Sequence, residues 1–223
     1  VNGGVSATDL PYSSTMPDTR FLLGPEYALL REEFRDSPTK HIRDTVNEVL
    51  VTMGGSDSQN LTSIVLEALD MADDNFIVTA IVGPYSRHRI QIEKSSKHIK
   101  HNVRIVSAPK HINKLMLNAD LAISAAGQTL YELAITGTPT IAIQVTDNQT
   151  GNTRGFAKYG VITPIVLGNR EDLKIEVSRT LIPLLNTPEK RMQSSIAGQK
   201  LIDGLGAKRV RDFILEELQK FNC

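Results

Sequence analysis

From residue 45 onward, short apolar runs alternate with longer segments in which apolar residues recur every three or four positions. The short runs are almost continuously apolar, which is typical of strands buried on both faces, and the longer segments have the period of amphipathic helices. The predicted strands are 46–53, 76–82, 103–106, 121–124, 140–145 and 162–166. The predicted helices are 61–71, 87–97, 112–118, 129–135, 151–158, 170–186, 189–205 and a last helix that ends at 217.

Strands that alternate with helices indicate parallel βαβ units joined by right-handed crossovers. We therefore predict an α/β fold, a Rossmann-like doubly wound parallel sheet, over residues 46–223. Residues 1–45 differ, because glycine, proline and serine interrupt them so often that only 27–34 is predicted to form a short helix. We predict that 1–45 is a linker or tail.

The amino-acid composition limits the partners and the cellular compartment that are expected for this protein. The 223 residues carry 25 Lys and Arg against 25 Asp and Glu, and this zero net charge disfavours nucleic acid as a partner. The single cysteine, Cys223, excludes an internal disulfide and suits a reducing compartment. No apolar run approaches the length of a membrane span, so we expect a cytoplasmic location and no membrane partner. The chain begins at Val1, and we expect it to be part of a longer protein.

Two glycine-containing turns follow predicted strands. Gly54 and Gly55 come after strand 46–53, and Gly127 comes after strand 121–124. A strand that leads through a glycine turn into a helix presents unpaired N–H groups and the positive end of the helix dipole, which together favour a phosphate. Two such turns at the carboxyl edge of one sheet indicate a nucleotide.

The turns lack the glycine spacing of a dinucleotide fingerprint and the Lys-Ser/Thr pair of a P-loop, so a mononucleotide is favoured over NAD or ATP hydrolysis. Glu132 follows the second turn by one helical turn, where its carboxylate could accept hydrogen bonds from both hydroxyls of a ribose. The alternative is an ordinary solvated glutamate. No cofactor is indicated.

The histidines have simpler interpretations. His98 and His101 stand three apart, a spacing that can bind zinc, but no third ligand is apparent and a solvated helix end is favoured, so no metal is expected. His111 precedes a helix and could cap that helix or contact a base. The helices after residue 189 are expected to form a covering layer rather than a binding module.

Four motifs, in order, carry a family resemblance. They are LLGPEYALLR at 22–31, MGGSDSQNLT at 53–62, AAGQTLYE at 125–132 and DNQ at 147–149. The chain resembles, from about residue 22 to 160, the UDP-sugar hydrolases of pseudaminic acid biosynthesis and the related spore-coat polysaccharide proteins. These are similar to the C-terminal half of the N-acetylglucosaminyltransferase that makes lipid II. The second turn departs from the family pattern, which usually has Ser-Gly-Gly-Ser.

The resemblance implies a two-domain GT-B architecture in which this chain is the C-terminal, UDP-binding half. Residues 1–45 would be the exit segment and interdomain linker of a missing N-terminal domain, which would also hold the catalytic base, so no catalytic residue is named. The family implies a hydrolase that releases UDP from a 2,4-diacetamido-2,4,6-trideoxyhexose. A GT-B glycosyltransferase and a non-catalytic nucleotide-sugar binding module are the alternatives.

The resemblance also implies roles for individual residues. UDP or a UDP-sugar would be bound in three parts: phosphates near the two turns, ribose at Glu132, and uracil read by main-chain atoms of 109–116. The implied nucleotide-binding residues are Gly55, Ser56, Pro109, Ile112, Met116, Ala126, Gly127, Gln128, Thr129 and Glu132. Asn148 and Gln149 would face the sugar.

Overall fold

The computed structural model describes residues 1–221 and contains six strands and eight α-helices. The strands are β1 (Glu48–Thr52), β2 (Ile77–Val82), β3 (Asn102–Ser107), β4 (Leu121–Ala125), β5 (Thr140–Gln144) and β6 (Ile162–Val166). The helices are α1 (Leu61–Leu69), α2 (Arg89–Ser96), α3 (Ile112–Asn118), α4 (Thr129–Ile135), α5 (Thr150–Lys158), α6 (Arg170–Asn186), α7 (Pro188–Leu201) and α8 (Gly206–Phe221). Cys223 lies outside the described residues.

All six strands are parallel and form one sheet in the order β3-β2-β1-β4-β5-β6. The order reverses between β1 and β4, which makes this pair the switch point of a doubly wound sheet. The predicted Rossmann-like α/β fold is therefore confirmed.

Helices cover both faces of the sheet because successive strand residues point to opposite sides. In β1, Val49 and Val51 pack with α1, α2 and α6, whereas Leu50 packs with α3, α4 and α5 on the other face. All three side chains are fully buried. Such two-sided burial explains why the centre of β1 is a continuous apolar run.

The region before β1 is where the sequence prediction differs most from the structure. Instead of one helix over 27–34, there are two short 3-10 turns, Pro25–Tyr27 and Glu32–Phe34. The chain is extended at Ala28 between them, and both Ala28 and Phe34 are buried in the core against α4 and α5. A continuous helix would not let the chain deliver both residues to that core. The N–H of Val5 also donates to the Tyr131 hydroxyl at 2.9 Å, so the predicted linker packs on the domain.

Two cations, the buried Arg191 and the half-buried Lys40, join the segment before β1 to the sheet domain. Arg191 is completely buried and donates to the carbonyls of Leu184 and Leu185 at the end of α6, and to those of Arg43 and Asp44 before β1. Lys40 Nζ donates to carbonyls at the end of α3, where burial lowers the pKa of this lysine to about 8.

None of the helices within residues 1–221 combines the length and apolar composition needed to cross a membrane.

Candidate functional site

The two glycine turns lie side by side because β1 and β4 pair directly, with Thr52 opposite Ser124. A cavity of about 320 Å³ opens beside them at the carboxyl edge of the sheet. Its lining residues come from the ends of β1, β2 and β3, from the starts of α3 and α4, and from the segment before β1: Arg31, Thr52, Gly54, Gly55, Ile81, Val82, Gly83, Pro84, Ala108, Pro109, Ile112 and Thr129. A smaller cavity of about 150 Å³ lies on the other side of the first turn, and Ser56, Ala125 and Gln149 are among its lining residues.

The first turn does not present the helix N-terminus that the sequence predicted. The Asp57 carboxylate accepts hydrogen bonds from the first two amides of α1, those of Leu61 at 2.7 Å and Thr62 at 3.1 Å. A buried carboxylate there satisfies the amides and neutralises the positive end of the helix dipole. The prediction of unpaired amides is therefore wrong for Leu61 and Thr62, and it is mainly the preceding loop, residues 54–59, that lines the two cavities.

The loop is held rigidly against the neighbouring strand end. A Cβ atom on Gly83 would lie 2.3 Å from the Gly55 carbonyl oxygen, so only glycine allows this close approach. The N–H of Tyr85 donates to the same oxygen at 3.0 Å, while the Tyr85 side chain is 79% exposed beside the loop. The sequence analysis did not single out Gly83 or Tyr85, although the Gly-Pro pair after β2 is a turn signal.

The second turn offers fewer donors than predicted. The N–H of Ala126 donates to the Ile143 carbonyl at 2.9 Å and that of Gly127 to the Ala125 carbonyl at 2.8 Å. These two amides are therefore not free for a phosphate, contrary to the prediction. The amides of Gln128 and Thr129, at the start of α4, have no hydrogen-bond partner within residues 1–221.

The segment after β3 forms the far end of the larger cavity. Ala108 has a left-handed backbone, with φ of 42°, an unusual conformation for a non-glycine residue. Pro109 and Ile112 line the cavity, and the side chain of His111, the residue before α3, makes no capping hydrogen bond to that helix. Met116 is wrongly placed by the sequence analysis: it is fully buried in the core, because it lies on the inner face of α3.

Glu132 lies next to this cavity and pairs with a residue that the sequence analysis missed. Its Oε1 accepts from Arg31 Nη2 at 2.9 Å, and its side chain is 14% exposed. Oε2 accepts no hydrogen bond from the part of the chain that the structure describes. Burial raises the pKa of the Glu132 carboxyl, and the hydrogen bond and charge of Arg31 oppose that rise. The signal that could have revealed Arg31 is its place at the end of the LLGPEYALLR motif.

The two residues predicted to face the sugar differ in their surroundings. Gln149 lines the smaller cavity, where its Oε1 accepts from the Val145 amide at 2.7 Å. Asn148 is exposed and accepts from the Thr146 hydroxyl. Gln149 therefore lies at a cavity, whereas Asn148 lies on the loop beside it.

The predicted histidine candidates serve other contacts. His101 is buried and stacks on Phe76, with ring centroids 4.1 Å apart, and its Nε2 lies 2.9 Å from the Leu69 carbonyl oxygen. His98 Nδ1 lies 2.7 Å from the Lys94 carbonyl oxygen. No group of three potential metal ligands occurs within the described residues. His111 is exposed beside the cavity, with Nδ1 4.0 Å from Glu33 Oε2.

An open parallel sheet with its cavities at the switch point defines a Rossmann-like domain of the kind found in GT-B proteins. Residues 49–201 match the glycosyltransferase family 28 C-terminal domain, and the chain belongs to this family.

Three similar proteins illustrate the relationship. The spore coat polysaccharide biosynthesis protein SpsG of Bacillus subtilis is 29% identical over 90% of this chain, which spans 59% of that protein. A Helicobacter pylori protein, named pseudaminic acid cytidylyltransferase and UDP-2,4-diacetamido-2,4,6-trideoxy-beta-L-altropyranose hydrolase, is 33% identical over 51% of this chain and 20% of its own length. The structure of MurG from Acinetobacter baumannii shares the fold, with a TM-score of 0.66, 15% identity, and coverage of 92% of this chain and 58% of MurG.

Proposed function

We propose that this chain binds the UDP part of a nucleotide sugar in the larger cavity. The observation that carries the proposal is the arrangement of three kinds of chemistry around one opening at the switch point. Apolar walls at Pro109 and Ile112 suit a base, the Glu132 carboxylate, paired with the lining residue Arg31, suits a ribose diol, and the unpaired amide of Thr129 suits a phosphate.

The other residues that the family resemblance implies would contact the remaining parts of the same nucleotide sugar. Gly55 and Ser56 would approach the diphosphate from the first turn, and the Thr129 hydroxyl would donate to it from the second. The sugar would extend toward the smaller cavity, where Gln149 lies and Asn148 is close in the chain. The base would be read through main-chain groups between Pro109 and Ile112.

We further propose that the chemistry of the whole protein is hydrolysis of the sugar–UDP bond in the synthesis of a surface polysaccharide. Two considerations support this choice: the order of the four motifs, and the activities after which the Bacillus subtilis and Helicobacter pylori relatives are named. A glycosyltransferase is the second candidate, because the family to which the chain belongs is named as a glycosyltransferase domain. Hydrolysis needs water as the acceptor, and transfer needs a second substrate.

Calorimetric titration of the chain with UDP, CMP and ADP tests the binding proposal. UDP is expected to bind most tightly, because a buried donor or acceptor left unpaired by the wrong base costs about 1 to 3 kcal/mol. Equal affinity for the three nucleotides would contradict base reading and leave only a phosphate site. No binding of any of them would contradict the proposal as a whole.

An assay of UDP release from UDP-2,4-diacetamido-2,4,6-trideoxyhexose tests the reaction. We expect the 223-residue chain to bind this substrate without useful turnover, because general acid–base help worth about 10² to 10⁴ in rate would come from the rest of a two-domain protein. A protein extended by that domain should release UDP in water alone. Release that requires an added acceptor would favour the transferase. Turnover by the chain itself would place a base within it, with His111 the first residue to substitute.

A further inference from the structure

Helix α3 carries part of the wall that the proposed function assigns to the base. Ile112, its first residue, lines the larger cavity, whereas Met116 packs in the core. The helix has only seven residues, and a helix of that length is not stable by itself in water. The position of this wall therefore depends on contacts that other parts of the fold make with α3.

One side chain from the segment before β1 caps the carboxyl end of α3. Lys40 Nζ donates to the carbonyls of Met116 at 3.1 Å and Ala119 at 2.6 Å, and also to that of Leu117. Carbonyls at the end of a helix have no intrahelical partner, and an ammonium group has three N–H donors to offer them. A positive charge is also favourable at this end of the helix dipole. Lys40 therefore meets both the hydrogen-bonding and the electrostatic needs of the end of α3.

Lys40 is itself held in place by two other elements. Its main-chain N–H donates to Gln199 Oε1 of α7 at 3.1 Å. A Cβ atom on Gly137, in the turn after α4, would lie 2.8 Å from the Lys40 Cβ, and the φ of 64° at Gly137 also favours glycine. The lysine is half-buried. It is therefore built into the fold at the end of α3 and does not rest loosely on the surface.

The same segment contacts α3 at two further points. Asn113 Nδ2, in the first turn of the helix, donates to the Glu33 carbonyl at 2.8 Å. At the other end, Arg43 Nη1 donates to the Asn118 carbonyl at 3.3 Å. Residues 33–43 thus hold α3 at both ends, and Lys40 makes most of these hydrogen bonds.

On the basis of the proposed function, we propose that Lys40 is the positioning residue for base recognition. It holds α3 so that the main-chain groups between Pro109 and Ile112 keep their distance from the base. Uracil and cytosine differ at one edge of the ring, so a small displacement of this wall removes the hydrogen bond that tells them apart. The proposed ribose and phosphate contacts belong to α4 and to the glycine turns. Loss of Lys40 should therefore affect the choice of base more than the binding of the nucleotide as a whole.

Calorimetric titration of wild type and Lys40→Met with UDP and CDP tests this role, because these two ligands differ only in the base. We expect the ratio of UDP to CDP affinity to fall about fivefold or more, mainly through weaker UDP binding, the scale of one hydrogen bond lost or left unpaired. Lys40→Arg keeps the charge and the donors and should recover part of this ratio. Lys190→Met removes the same charge from an exposed residue of α7 that does not line the cavity, and should leave both affinities unchanged.

The pH dependence of the wild type provides a second test that needs no loss of the side chain. Burial lowers the pKa of Lys40 to about 8; Arg43 acts in the same direction, and Asp120 and Glu48 oppose it. The neutral amine has two N–H groups for three carbonyls, so the ratio of UDP to CDP affinity should fall as the pH rises from about 7 to about 9. Changes in the charge of the diphosphate cancel in this ratio. The uracil N3–H also loses its proton in alkaline solution, and Lys40→Arg, which stays charged, measures that background.

Circular dichroism and a melting curve show whether each variant is folded. A folded Lys40→Met that keeps the wild-type ratio would overturn the inference and leave the proposed function in place. A loss of UDP and CDP affinity in equal proportion would show a general structural role and would also overturn it. If Lys40→Met does not fold, the pH profile decides: a wild-type ratio that changes with pH no more than that of Lys40→Arg overturns the inference. Equal affinity of the wild type for UDP and CDP would contradict base reading in the proposed function and this inference together.

Discussion

Replacement of Glu132 by alanine is the most direct perturbation of the proposed ribose contact. The carboxylate is largely buried, one oxygen is held by Arg31, and the other has no partner within residues 1–221. Loss of hydrogen bonds to a charged acceptor costs about 1.5 to 3 kcal/mol, or about 10- to 150-fold in Kd. The free energy of unfolding should change by less than about 1 kcal/mol, because the lost ion pair has a half-exposed partner.

Titration of wild type and Glu132→Ala with UDP and 2′-deoxy-UDP measures this contact. The wild type should bind 2′-deoxy-UDP more weakly than UDP, whereas the variant should bind the two alike. A wild type that binds 2′-deoxy-UDP as tightly as UDP would refute the ribose role, whatever the variant does. A variant that loses affinity but still prefers UDP would move the role to another side chain.

The same contact has a pH dependence of known sign. Only the ionised carboxylate accepts from both hydroxyls, and burial raises the pKa of Glu132. Affinity should therefore decline, as the pH falls, at a higher pH than an ordinary glutamate would cause. Glu132→Gln cannot ionise and serves as the reference for the titration of UDP itself. Parallel profiles for wild type and Glu132→Gln would contradict the assignment.

Three further substitutions test how the site is held in place. Asp57→Ala removes the cap of α1 and should lower the free energy of unfolding by about 1 to 2 kcal/mol in urea titration, whereas no loss would contradict the capping role. Arg191→Met leaves buried carbonyls unpaired and should lower the free energy of unfolding by about 2 to 4 kcal/mol. The exposed control Arg211→Gln should lower it by less than about 0.5 kcal/mol. Gly83→Ala must displace the Gly55 loop, and it should lower the free energy of unfolding by about 1 to 3 kcal/mol and weaken UDP binding. Gly168 has open space around it, so Gly168→Ala should change neither the free energy of unfolding nor the UDP affinity.

The strands and helices could be predicted from the sequence because hydrophobic periodicity is a local signal. Every strand and helix predicted after residue 45 is present, and the differences lie at their ends, as for β1, predicted as 46–53 and observed as Glu48–Thr52. The helix predicted over 189–205 is shorter in the structure, where α7 ends at Leu201 and α8 begins at Gly206. Helix ends depend on capping and packing more than on periodicity.

Candidate residues near one another in the chain were also predictable, but their partners were not. The second turn and Glu132 lie within one motif, so their common location follows from the strand-turn-helix pattern. Arg31 reaches Glu132 from 101 residues away, and no local pattern predicts that contact. Met116 belongs to the segment 109–116 that was expected to contact uracil, and only the orientation of α3 shows that its side chain faces the core.

The sequence by itself therefore determined the alternation of strands and helices and the glycine turns that follow β1 and β4. The tertiary structure alone decided that these strands are neighbours, because strand order depends on packing between segments distant in the chain. It also decided which amides remain free. The hydrogen-bond partners of the Ala126 and Gly127 amides and the cap formed by Asp57 depend on how the folded chain brings these groups together. A sequence motif states where donors can occur, and the surrounding fold determines which of them are already occupied.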